Sequence, residues 1–127
     1  MTLARSCSIG AVTLLFAACG GSGSSPSAPT PDNPNQMVIS SSGALTPSEI
    51  TVPAGSRVLF INNHSRPHQM ASDPHPEHDQ CPEINQVGLL SPGQRRETGN
   101  LVTVRTCGVH DHDDPDNASL KGRIIIR

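Results

Sequence analysis

No stretch of this chain keeps its apolar residues in step with a helix over several turns. They come instead in short β-branched runs, each cut off by Gly, Pro, Asn or Ser. Met37-Val38-Ile39 runs into Ser40 to Gly43, and Glu49-Ile50-Thr51-Val52 into Pro53-Ala54-Gly55-Ser56. In the second turn Pro presets φ and Gly accepts a positive one. Arg57-Val58-Leu59-Phe60-Ile61 is the most apolar run and predicts a central strand, stopped by Asn62-Asn63. Gln86 to Leu90, Leu101 to Thr106 and Gly122 to Arg127 predict the later strands. Twelve Pro and eleven Gly in 127 residues fit such punctuation, and a core with no Trp, no Tyr and two Phe in the whole chain must be aliphatic. Six or seven short strands in the folded part predict an all-β fold, a Greek-key β-sandwich.

The folded part does not start at residue 1. Residues 1–18 have the make-up of a secretory signal. Arg5 is the positive end, and Ile9 to Ala18 an apolar stretch of about ten residues, where a bilayer needs ~20. Residues 19–36 then form a Gly/Ser/Pro-rich tether with no apolar side chain larger than Ala after Cys19, too little apolar surface to offset chain entropy. The predicted domain spans 37–127. Leu15-Phe16-Ala17-Ala18-Cys19 is similar to the lipobox of bacterial lipoproteins, which implies a lipid on Cys19. The domain is then expected in the cell envelope, facing the periplasm or exterior and touching the membrane through its anchor only.

Export changes the meaning of the cysteines. Cys7 leaves with the signal and Cys19 carries the lipid, so Cys81 and Cys107 remain alone in an oxidising compartment. A net charge of −2 with no basic run excludes nucleic acid as a partner. No glycine-rich phosphate loop, metalloprotease pattern or nucleophile–base–orienter set is present, so no enzymatic activity is expected. All six His fall between His64 and His112. Three of them, with four Pro, sit in the polar stretch Pro67–Asn85, which reads as a long functional loop.

The order Glu49-Ile-Thr-Val-Pro-Ala-Gly-Ser-Arg-Val-Leu-Phe-Ile-Asn-Asn63, then Pro67-His68, resembles the cupredoxins, the plastocyanin-like blue copper proteins. Leu89 to Gln94, Cys107-Gly108-Val109-His110 and Leu120-Lys121-Gly122 with Ile124 to Ile126 extend the resemblance over 37–127. It implies a single copper ion held by His68, Cys107 and His110, with His112 in reserve, and electron transfer to a partner protein by a monomer. Two imidazoles and a thiolate in a near-trigonal plane suit copper, with a weak axial ligand tuning its potential. Leu120 stands where the family has its axial Met.

A second reading stays open. Cys81 and Cys107 are the default pair for a disulfide, which would take the thiolate away and leave imidazoles only: His68, His110, His112 and His75. The chain is then a copper-binding or buffering module without electron transfer. Alternation along Leu101–Cys107 also sets Val102 and Val104 on one face and Cys107 on the other, which conflicts with an inward-pointing ligand. His64 and His78 read as solvated loop residues. His75-Pro76-Glu77-His78 and His110-Asp111-His112 are compact pairs; in an extended chain His-x-His puts both rings on one side, about 7 Å apart.

Overall fold

The computed structural model describes residues 34–127; the signal, Cys19 and most of the tether lie outside the described residues. Nine strands follow in order: β1 Gln36–Ile39, β2 Leu45–Thr46, β3 Glu49–Val52, β4 Leu59–Asn62, β5 His68–Ser72, β6 Gly88–Leu90, β7 Arg95–Glu97, β8 Thr106–Asp111 and β9 Gly122–Ile126. They form two sheets, ordered β2-β1-β4-β7 and β3-β9-β8-β5-β6. Between the sheets Met37, Ile39, Val58, Phe60, Met70, Ile84, Leu90, Leu101, Val109, Ile124 and Ile126 are buried. The fold is the all-β sandwich that the run-and-turn pattern predicts, and Phe60 is the one aromatic carbocycle in its core.

Three local expectations change. The Leu101–Thr106 strand is displaced: Leu101 makes only an isolated bridge to Ser56, and β8 begins at Thr106. Val102 and Val104 are 62% and 67% exposed, so their β-branching reflects no burial. The conflict over Cys107 vanishes with them, because Cys107 shares the inner face of β8 with Val109, opposite Ile124 of β9. The head of the Pro67–Asn85 loop is a strand, β5, pairing with β8 on one side and β6 on the other. Its inward polar members, His68 and Ser72, are buried but bonded. Ser72 Oγ donates to the carbonyl of His78, and both ring nitrogens of His68 have partners. Arg95–Glu97 form the edge strand β7, with all three residues exposed.

The alternation of β8 positions everything that follows. Cys107, Val109 and Asp111 point into the sandwich; Gly108 and His110 point to the outer face, as Arg123 does across from Gly108. On β5 the inward residues are His68, Met70 and Ser72, and Ala71 lies opposite His110 on the outside.

Candidate metal centre

Cys81 and Cys107 are joined as a disulfide, with Cα atoms 5.9 Å apart and both residues fully buried. A sulfur bonded to sulfur has no thiolate to give a metal. Of the two roles open to Cys107 in the sequence, this is the disulfide.

The six imidazoles fall into two groups. The first lies at one pole of the sandwich, where β5 begins and β8 ends. His68 Nδ1 lies 2.7 Å from Asp111 Oδ2, and His68 Nε2 lies 2.8 Å from His64 Nδ1. The His64 and His68 rings stack with centroids 5.0 Å apart. Asp111 Oδ1 accepts the backbone N–H groups of Gln69 and Asp113. Asn62, the residue that ends β4, holds the turn that carries His64: its Oδ1 accepts the His64 N–H and its Nδ2 donates to the carbonyls of Arg66 and Leu90. A polar cavity of about 460 Å³ opens beside the chain, lined by His64, His68, Asp111 and Leu120 among others. With Asp111 ionised, His68 donates from Nδ1 and accepts at Nε2 from His64. No lone pair of His68 is left over.

The second group lies on the outer face of the five-stranded sheet. Residues 73–80 fold back over β8 and carry His75 and His78 towards His110 and His112. His78 Nε2 is 3.2 Å from His110 Nε2 and 3.3 Å from His112 Nδ1. The His75 ring lies 5.1 to 5.6 Å, centroid to centroid, from those of His78, His110 and His112. One ring nitrogen from each of His75, His78 and His112 can be chosen so that all lie within 4.8 Å of one another.

The fold-back is held by specific bonds. The Asp73 N–H donates to the Gly108 carbonyl, the Gly108 N–H to Gln80 Oε1, and the His78 carbonyl accepts from Ser72 Oγ and Asn85 Nδ2. The disulfide closes the segment one residue after Gln80. His78 alone among the described non-glycine residues has a positive φ, 53°. That left-handed turn is what aims its ring at the others, and it costs an L-residue about 1–2 kcal/mol.

The donor set fits a metal ion. A tetrahedral ion with bonds of about 2.0–2.1 Å to nitrogen sets its ligand atoms about 3.3–3.4 Å apart, close to the two contacts of His78 Nε2. With neutral rings, His78 Nε2 either carries a proton or a lone pair and cannot donate to one neighbour while accepting from the other, whereas a cation among the rings can take a lone pair from each. The His78 pKa is held below its ordinary 6.5, first by desolvation and then by His110, His112 and His75, with Glu77 opposing. A ring that resists protonation is a better ligand near neutrality.

His110, His112 and His75, all candidates in the sequence, are thus brought together, and His78, read there as solvated, joins them. His68 is not with them; it pairs with His64 and Asp111 at the pole. Its polar loop hid both partnerships. The HPEH spacing was the one signal for His78, because two rings three residues apart converge only through a tight turn.

No protein-family model and no curated protein matches the chain. Solved structures do. The oxidised plastocyanin of the fern Dryopteris crassirhizoma is 21% identical with a TM-score of 0.55, over 72% of this chain and 99% of its own. Amicyanin from Paracoccus versutus is 16% identical with a TM-score of 0.59, over 78% and 86%. A purple cupredoxin from Nitrosopumilus maritimus is 16% identical with a TM-score of 0.52, over 72% and 98%. At these identities the likeness is one of architecture: the chain has the cupredoxin fold.

Proposed function

We propose that this protein is a copper-binding or copper-buffering module of the bacterial cell envelope, tethered through Cys19, which holds one ion with imidazoles alone and is not an enzyme. The observation that carries this reading is the convergence of His75, His78 and His112 beside a cysteine pair already spent on a disulfide. Nitrogen donors favour Cu(II) over the other first-row divalent ions, with zinc as the nearest competitor. A thiolate blue-copper centre built on Cys107 finds no support in the disulfide, so electron transfer is not part of the proposal. Two observations speak for the envelope: the lipobox-like segment, and a disulfide that needs an oxidising compartment.

The test is a calorimetric titration of the full chain with Cu(II), followed by a visible spectrum and peptide mapping. The expected result is one ion per chain, a pale solution, and Cys81 and Cys107 recovered in one linked peptide pair. An intense thiolate-to-copper charge-transfer band would overturn the imidazole-only centre, and absence of stoichiometric uptake would overturn copper binding altogether.

A further inference from the structure

We infer that the outer-face centre has a fourth ligand, His110, and that Asp73 is the residue that turns its coordinating nitrogen towards the ion, a placement possible only because residue 108 is glycine. This rests on the reading of the His75, His78 and His112 cluster as a metal site.

His110 is 1% exposed, the most buried of the four rings. Its Nδ1 lies 2.6 Å from Asp73 Oδ1. An ionised carboxylate has no proton to offer, so the imidazole donates, and its Nε2 keeps the lone pair. That Nε2 faces His78 Nε2 at 3.2 Å, beside the His75, His78 and His112 set. The pattern is a carboxylate holding a histidine by the nitrogen away from the metal, which fixes tautomer and ring angle and raises ligand basicity.

The backbone explains how Asp73 gets there. Gly108 is the outward residue two places before His110 on β8, and Asp73 lies directly over it. A Cβ built on Gly108 would overlap Asp73 Oδ2 and lie 2.6 Å from Asp73 Cγ. Any side chain at 108 evicts the carboxylate. Gly108 has no positive φ, so its lack of a side chain, rather than its backbone freedom, is what the site uses. The glycine of Cys107-Gly108-Val109-His110 is thus a space-maker for Asp73. A fourth nitrogen brings the protein's donors to four, the number found in sites that hold a metal rather than use it.

The experiment measures Cu(II) affinity by chelator competition in the full chain, with electron paramagnetic resonance to count bound nitrogens. His110→Ala is expected to lower the count from four to three and to weaken binding at least tenfold. Asp73→Asn, which keeps the volume, is expected to weaken binding 10–100-fold and alter the copper spectrum while the melting temperature of the metal-free protein changes little. Gly108→Ala is expected to match Asp73→Asn in affinity and spectrum; Asp73→Asn carries the test if that variant fails to fold. Unchanged affinity and spectrum in His110→Ala would overturn the fourth ligand. An unchanged copper spectrum in Asp73→Asn would overturn the positioning role. A wild-type chain that takes up no copper would instead sink the reading beneath both.

Discussion

The pole and the outer face hold histidines in opposite conditions. At the pole, the Asp111–His68–His64 chain hands one hydrogen bond to the next, and His68 has both ring nitrogens occupied. On the outer face, nitrogens of His110 and His112 both meet the single Nε2 of His78, which cannot donate to one and accept from the other at once. The two groups have similar composition and are both near β8. They differ in which way the lone pairs point. Imidazole count therefore says little about metal binding; the direction in which the second nitrogen is satisfied decides it.

The largest expected effect falls on what holds the outer face together. Replacing Cys81 and Cys107 by Ser removes a crosslink between residues 26 apart and should cost about 3–4 kcal/mol of stability in the chain-entropy model, read from the denaturant midpoint. Because the bridge pins the loop that carries His75 and His78, copper affinity should fall with it. Equal affinity in the folded variant would show that the loop needs no clamp.

Next comes the sharpest way to separate the two groups. His68→Ala takes the buried Asp111 carboxylate's one side-chain partner among the described residues and should destabilise the protein by about 2–3 kcal/mol, with copper affinity unchanged within a factor of two. A loss of copper binding on that substitution, with the fold intact, would move the metal to the pole.

His78→Gly should do the reverse. It relieves the left-handed backbone at 53° and should leave the metal-free protein as stable or up to about 1 kcal/mol more so, while copper affinity drops by a factor of ten or more. A melting temperature that falls instead would show that the ring's contacts outweigh the strain.

The smallest effect is in pH. His78 binds its proton less readily when folded than at its ordinary 6.5, so below that value the unfolded chain takes up a proton that the native one resists. Stability of the metal-free protein should decline as pH falls from about 6.5, and level off once pH passes the native pKa. His78→Gly should flatten this slope; an equal slope in both proteins would assign it to other groups.

Much of the sandwich was legible because Met37–Ile39, Glu49–Val52 and Gly122–Ile126 state their burial in their side chains. β5 was not, since His68, Gln69 and Ser72 look like loop. His68 and Ser72 are tolerated inside because their buried polar atoms find partners in other segments, which local pattern cannot report. The β8 boundary slipped for the converse reason: Val102 and Val104 have strand propensity without strand burial. At the site, His110 and His112 were legible as a same-side pair. His78 depended on a backbone turn that His rarely takes, and Asp73 on a gap that only the folded strand creates.

The two-residue rhythm of β8 has a further consequence. Cys107, Val109 and Asp111 belong to the interior, while Gly108 and His110 belong to the surface layer, yet all five occupy one continuous ribbon. Cys107 apart, whose disulfide anchors the loop over the outer face, each set can be rewritten without asking leave of the other. A lineage, or a protein engineer, could trade the outward residues for a different ion or for none and keep the same inner seam, so that architecture and cargo can drift apart in such chains.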